Sequence, residues 1–438
     1  MKAALDRRLG WVALTIYGVG DILGAGIYGL VGKAVGVLGN AVWMAFLAGL
    51  VAAALTGLSY ASLSSRFPKA AGSSFVVLKA FGSSFGAYVI GLAAMASGLT
   101  SMAAASRVFS GYLGGFTGLP LIPGAILFLS FLGFIVWRGL RETSWLNIVC
   151  TTIEVSGLLI VIAVCLPFWG NVDYLDMKTA GNPAGDFSVP LLLSAVVLVF
   201  YSFVGFEDLI NLGEEAKDPT RDLPKAFLLA LSIASLIYLA VSVSAVSVLP
   251  AAELAQSPQP LVDVVSVASP GFPPWLFSLI ALFAVMNTAL LNFVMGSRLL
   301  YGLSRLRIMP KFLDQVHATR KTPVRAVLTV YVIAVILALS GDISTLARAT
   351  SLLLLLVFVL MNLSLIRLKM RPVGAPPPFD VPLIIPVLGA AICFGLLMFG
   401  QMKDYLVAGG LLAVIVVLYF VMRPDGETIR KMMEMEES

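Results

Sequence analysis

Two glycine-broken stretches decide how this chain is read. One is Gly20-Asp21-Ile22-Leu23-Gly24-Ala25-Gly26-Ile27-Tyr28-Gly29, within the first apolar run. The other is Ser202-Phe203-Val204-Gly205-Phe206-Glu207-Asp208, within the sixth. The hydrocarbon core of a bilayer offers no water to a backbone that leaves its helix. Breaks survive there only when buried in protein or lining a cavity. A pair of them, in the first and sixth of a series of spans, points to the ligand site of a secondary transporter built from inverted repeats.

The rest of the chain is that of a membrane protein. Of 438 residues, 59% are hydrophobic and 12% charged. That is about half the charged share of a soluble globular chain. Mean hydropathy is +0.97. The apolar residues fall into twelve runs: 10–35, 40–65, 82–110, 119–138, 143–169, 188–213, 223–249, 274–304, 323–340, 344–367, 383–402 and 404–422. Each can cross a core of about 30 Å. The expected fold is an all-α polytopic membrane protein of twelve transmembrane helices. Residues 67–81, with Pro68 and Gly72, read as a short surface or re-entrant piece.

Charge tests this reading. With the N-terminus in the cytoplasm, all but five of the 29 Lys and Arg fall on the cytoplasmic side, the five being Lys33, Arg107, Lys178, Arg348 and Lys403. That bias is the positive-inside pattern, with both termini cytoplasmic. The longer outer loops carry Asp173, Asp176, Asp186, Glu253 and Asp263 instead. The net charge of +5 thus follows topology and is no nucleic-acid signal. Spans 1–5 and 6–10 can then be inverted copies, each led by a broken helix. The expected organisation is a transport core at 1–370, spans 11 and 12 within 371–423 behind a Pro-rich connection, and a cytoplasmic tail at 424–438. No signal-peptide cleavage site follows the first run, which reads as a retained span.

Enzyme chemistry finds no support. There is no phosphate-binding loop and no nucleophile–His–acid set. The only histidine, His317, sits in a basic loop. Cys150, Cys165 and Cys393 lie in apolar runs and read as packing residues, without metal or disulfide spacing. No metal and no cofactor is expected beyond a coupling ion.

The candidate site gathers at the breaks. Unwound amides at Gly24, Ala25, Gly26 and Ile27 would sit at a half-helix N-terminus, which favours a carboxylate. The alternative is close helix packing. Glu207 is deep enough to be costly if unpaired, and can hold the break or handle a proton. The stretch from Glu214 to Lys225 reads as a structural hairpin. Glu154 stands alone about eleven residues into span 5, near mid-membrane at 1.5 Å per residue. A carboxyl there is a candidate proton carrier or a hydrogen-bonded structural group. Asp21 can meet an amine or a cation, or satisfy local backbone donors. Asn287, Thr288 and Asn292 in span 8 can supply oxygens or act as interhelical glue. Tyr17, Tyr201 and Phe203 flank the breaks.

The chain resembles the amino acid–polyamine–organocation transporter superfamily, which has the inverted-repeat leucine-transporter fold. Three stretches carry the likeness: 18–29 with Gly24-Ala25-Gly26-Ile27; Phe203-Val204-Gly205-Phe206-Glu207 with Glu214-Glu215-Ala216-Lys217-Asp218-Pro219 and Arg221-Asp222-Leu223-Pro224; and Ser297-Arg298-Leu299-Leu300-Tyr301. The resemblance implies that amides of Gly24, Ala25, Gly26 and Ile27 hold a substrate carboxylate. It implies that carbonyls around Asp21, Ile22, Leu23, Phe203 and Val204 receive the amine. Tyr201 matches an outer aromatic gate, and Glu207 the acid after the span 6 break. One departure stands out: many relatives carry a lysine in span 5, where this chain has Glu154.

The expected function is secondary active transport of an amino acid or related amine across the cytoplasmic membrane by alternating access, coupled to protons through Glu154. The alternatives are coupling to sodium, with Glu154, Asp21, Asn287 and Thr288 as ligands, an inorganic-ion carrier on the same scaffold, an amino acid or polyamine exchanger, and a non-transporting sensor. The expected partners are a small-molecule substrate and the lipid bilayer, in a monomer or homodimer.

Overall fold

The first apolar run is two helices. In the computed structural model, α1 (Trp11–Ile22) stops, Leu23 is extended, and α2 (Ala25–Leu38) restarts after Gly24 at φ +152°. The structure describes residues 9–67, 72–138, 143–212, 216–305, 309–317, 322–371 and 377–422, without the side chains of 116, 143–148 and 211. The expected tail at 424–438, Glu214 and Glu215 lie outside these residues.

The helices continue as α3 (Val42–Arg66), α4 (Ser73–Phe81), α5 (Ser84–Thr117), α6 (Leu121–Arg138), α7 (Thr143–Cys165) and α8 (Val189–Phe200). After the second break come α9 (Pro219–Val248), α10 (Ala251–Gln256), α11 (Pro260–Ala268) and α12 (Pro274–Arg305). The last are α13 (Val324–Ser340), α14 (Ile343–Met370), α15 (Ile384–Leu396) and α16 (Met402–Met422). Among the described residues there is no strand, only the isolated bridges Leu9–Ala216 and Thr179–Asn182.

Among the described residues, eight helical stretches are long and apolar enough to cross a membrane, and four shorter apolar helices accompany them: Trp11–Ile22, Val189–Phe203, Val324–Ser340 and Ile384–Phe399. Large apolar side chains such as Leu127, Leu236, Leu328 and Phe420 face outward. That pattern suits hydrocarbon rather than water as the surroundings. The chain is a multi-pass membrane protein.

Two local readings are refined. Residues 73–81 of the expected surface or re-entrant piece form α4, which buries Phe75, Val76, Val77 and Ala80; residues 68–71 lie outside the described set. The connection after α9, read as one of the longer outer loops, carries α10 and α11, whose Leu254, Leu261, Val262, Val264 and Val265 are buried. Their length hides them from a search for spans.

The second break mirrors the first. α8 tightens into a 3-10 turn, Tyr201–Phe203; Val204 is extended; Gly205 takes φ +122°; and a second 3-10 stretch, Phe206–Leu212, follows. An aromatic cluster anchors it, with the Tyr60, Phe227 and Phe358 rings all within 6.5 Å of Phe206. A backbone bond from Lys217 N to Leu9 O, 2.8 Å, ties the end of this segment to the start of α1.

Candidate functional site

The two breaks touch each other. A Cβ built on Gly26 would stand 2.5 Å from Ser202 Cα, and one built on Gly205 would strike the Asp21 carbonyl. Glycine is therefore required twice over at Gly205, by its φ and by the close approach. The first turn of α2 thus lies on the Tyr201–Phe203 turn, and the end of α1 lies on Gly205.

The N-cap of α2 is Gly24, which has no side chain to cap the helix. The Ala25 N–H makes a long bond to Thr288 Oγ1 on α12, 3.4 Å. The remaining first-turn amides leave a helix N-terminus open beside the second break, the setting the sequence predicts for a carboxylate. At the other break the Glu207 carboxylate accepts the Gly205 N–H at 2.9 Å. Glu207 thus bonds the backbone of the break itself.

α7 brings Glu154 to the first break. Close packing of Gly20 on Thr151 seats α7 against α1. Tyr28 Oη donates to the Glu154 carbonyl at 2.8 Å. The carboxylate itself is fully buried, and neither oxygen has a hydrogen-bond partner. A Cβ on Gly24 would stand 3.5 Å from Glu154 Oε1. Thr288 Oγ1 meets the same glycine from the opposite helix. Asn287 is buried next to it on α12, and Asn292 Nδ2 donates to the Thr288 carbonyl at 3.0 Å.

Asp21 completes an acid group. Its Oδ2 is buried without a partner, and the charges it interacts with are Asp208, Glu207 and Glu154. Four carboxyls from three segments thus converge on the breaks. Tyr201 Oη and Ser101 are joined at 3.2 Å, and the Phe203 ring packs on Tyr238 at 5.5 Å. Of the sequence-predicted site residues, the contacts join Asp21 to Gly205, Gly26 to Ser202 beside Tyr201 and Phe203, and Thr288 and Glu154 to Gly24.

One residue escapes the sequence reading. Tyr238 on α9 donates to the Ile22 carbonyl at 2.6 Å and to the Ser202 carbonyl at 2.7 Å, one from each break. A hydroxyl has a single proton, so it serves the two carbonyls in turn or shares it between them. In an apolar helix a lone tyrosine carries no signal beyond packing.

Bundle and breaks together define a membrane transporter rather than an enzyme. The chain belongs to the amino acid permease family, whose pattern it matches over residues 9–426. Membership of the amino acid–polyamine–organocation superfamily, expected from the sequence motifs, is borne out. The branched-chain amino acid permease of Bacillus subtilis is 26% identical over 417 residues, 90% of this chain and 87% of the relative. A cationic amino acid transporter of Arabidopsis thaliana, its number 3, mitochondrial, is 31% identical over 86% of this chain and 64% of its own length. A methylthioribose transporter of Bacillus subtilis is 26% identical over 89% of this chain and 87% of the relative.

Proposed function

We propose that the chain moves an amino acid or related amine across the cytoplasmic membrane by alternating access, with proton coupling at Glu154. The observation that carries this is the Glu154 carboxylate, buried without a hydrogen bond against the break at Gly24. An ionised carboxylate held that way costs several kcal/mol. It therefore holds a proton or waits for a cation. Proton and substrate favouring the same state would couple their movements.

The fold behind this reading has twelve spans. Broken α1–α2 and broken α8 with its following turns count as spans 1 and 6; α4, α10 and α11 lie outside the count. α15 and α16 follow a ten-span core of two inverted five-helix repeats. Both termini lie in the cytoplasm. Asp21, Val204, Glu207, Asp208, Thr288 and Asn292 are partly exposed, while residues 24–29 are buried. The partly exposed set lies on the cytoplasmic side of the breaks in this topology, which supports an inward-facing state.

In the loaded site, the open amides at Gly26 and Ile27 receive the substrate carboxylate. Carbonyls at the break ends and the acid group receive the amine. The names of the relatives support an amino acid substrate, branched-chain or cationic. A second reading, sodium coupling, rests on Thr288 Oγ1 and Glu154 facing Gly24 from opposite helices, a pair of oxygens suited to a hard cation.

The test is thermal stabilisation of the purified protein by amino acids, polyamines, simple amines and methylthioribose, at two pH values, with and without sodium. Binding to the folded state adds RT ln(1 + [L]/Kd). A hit on an amino acid that changes with pH and not with sodium supports proton coupling. Stabilisation by sodium alone turns Glu154 into a cation ligand. A hit on methylthioribose and no amino acid overturns the amino acid reading.

A further inference from the structure

The short helix α4 does not cross the bilayer. Its nine residues span about 13 Å, well short of a hydrocarbon core of about 30 Å. It sits at the end of the bundle where α3, α14 and α16 finish and α5 begins. Its surroundings are cationic. Arg367, near the end of α14, donates from Nε to the Ala80 carbonyl at 2.9 Å, and its guanidinium lies 5.8 Å from the centre of the Phe81 ring. Lys79, one residue before Ala80, is exposed and has its Nζ 5.3 Å from the centre of the Phe75 ring. That ring meets Phe67 edge-on at 5.5 Å, and Phe67 follows Arg66 at the end of α3. Arg66 and Lys369 share Asp380, the acid that the described residues bring to this group.

Beside the cations runs an aromatic belt. Phe81 and Phe85, on either side of the turn at Gly82, are both exposed. Phe85 meets Tyr419 at 5.0 Å and Phe420 at 6.3 Å near the end of α16, and Tyr88 meets Tyr419 at 5.2 Å. Aromatic side chains collect where hydrocarbon gives way to headgroups. The belt therefore marks the membrane surface, with the cations around α4 at headgroup depth and the α5–α16 face in the hydrocarbon beneath.

One donor is left open. Arg66 Nε is buried with no hydrogen-bond partner, and a buried open donor calls for an occupant. On a guanidinium it suits a phosphate. A free phosphate would use the cations and ignore the rings; a phospholipid uses both. Orienting the chain in the membrane needs charge alone. It does not need a guanidinium fixed between a carbonyl and a ring, as Arg367 is. We propose that the corner formed by α4, the end of α14 and the start of α5 binds an anionic phospholipid, its phosphate among Arg66, Lys79 and Arg367 and its chains along Phe85, Tyr419 and Phe420. The topology proposed above puts that lipid in the cytoplasmic leaflet, where anionic headgroups attract basic segments. Nothing in the inference depends on the substrate.

The experiment loads the full chain into nanodiscs of phosphatidylcholine and phosphatidylglycerol in equal parts, extracts it into mild detergent and counts the retained lipids by native mass spectrometry. The wild type should keep phosphatidylglycerol in preference to phosphatidylcholine. Arg367→Gln and Lys79→Gln should each weaken that retention by about fivefold, the effect of one cation at an anionic surface. Arg325→Gln, which removes an exposed cation at the start of α13, should leave it unchanged. Phosphatidylglycerol should also raise the thermal midpoint of the wild type more than that of Arg367→Gln. Equal retention of the two lipids by the wild type, or an equal loss in Arg325→Gln, overturns the site and leaves only diffuse surface charge. A midpoint raised as much by inorganic phosphate as by the lipid assigns the cations to a free anion and overturns the lipid. Should Arg367→Gln fail to fold by thermal scan, Lys79→Gln on its exposed side chain decides alone: weakened retention supports the site, and unchanged retention overturns it.

Discussion

The Tyr238 hydroxyl donates to the Ser202 carbonyl at 2.7 Å, and the same oxygen lies 2.6 Å from the carbonyl of Ile22. One side chain on an unbroken helix thus ties the two broken ones together. Both carbonyls lie where a helix has opened, and neither would have water to turn to. Removing the hydroxyl leaves two acceptors competing for nothing.

Tyr238→Phe is expected to lower stability by about 1–3 kcal/mol, the usual cost of orphaning buried polar groups. Ring packing against Phe46 at 5.8 Å and Phe203 at 5.5 Å is kept, so the chain should still fold. Transport should fall more than the thermal midpoint suggests, because the link sets the distance between the breaks. Thermal scans beside uptake into proteoliposomes check this. Full uptake at a lowered midpoint would make Tyr238 a packing residue only.

The glycines divide by what surrounds them. At Gly205, an alanine would meet φ +122° and the Asp21 backbone together. Strain of this kind costs on the order of 1–3 kcal/mol. At Gly26 an added Cβ would press on Ser202 Cα. At Gly302, within α12, an added Cβ meets nothing within 4 Å. Gly205→Ala and Gly26→Ala should lower both stability and uptake. Gly302→Ala should be neutral or gain about 0.5–1 kcal/mol from helix propensity. Equal effects at all three positions would contradict the crossing of the breaks.

This contrast explains what could be read from the sequence. Gly24 and Gly205 were legible because glycine beside Asp21 or Glu207 inside an apolar run has few other uses. Glu154 was legible because a lone acid in a long apolar helix is expensive. Tyr238 was not, since tyrosine at helical spacing looks like core. The outer cations were each visible, but not the carbonyls they reach, Ala255 for Lys33 and Ala338 for Arg107, 222 and 231 positions along the chain. Convergence over such separations is a property of packing, and composition does not report it.

Glu154→Gln keeps the volume of the side chain and removes its charge. In proton coupling, substrate binding and substrate-for-substrate exchange should survive. Net uptake driven by an imposed pH gradient should fall by about 5- to 150-fold, the range of ordinary coupling energies. Proteoliposomes loaded with substrate for exchange, or left empty for net uptake, separate the two. Net uptake with an intact pH profile would end the role of Glu154 as proton carrier.

A last prediction concerns the connection between α14 and α15, where Asp380 holds two helix ends together. Its Oδ2 accepts Arg66 Nη2 at 2.9 Å from the end of α3 and Lys369 Nζ at 2.6 Å from the end of α14. Its Oδ1 accepts Ser62 Oγ at 2.7 Å and its neighbour's N–H, from Val381, at 2.9 Å. Partial burial works against the charged form, but the bonds from Lys369, Ser62 and Val381 and the Arg66 charge outweigh it and hold the carboxyl down at about 2. A folded-state value below the unfolded 3.8 means the folded chain binds the proton less readily. Asp380 therefore contributes stability fully above about pH 4, and that contribution fades as pH falls towards 2. With the side chain a third exposed, solvent screens the ion pairs and keeps the contribution modest. Asp380→Asn should lower the thermal midpoint at pH 7, and the gap to the wild type should narrow steadily below pH 4. Salt should narrow it as well, because two of the four contacts are ion pairs. A gap that stays constant from pH 7 to pH 3 would show that the loss comes from the uncharged contacts to Ser62 and Val381 and that the charge contributes nothing.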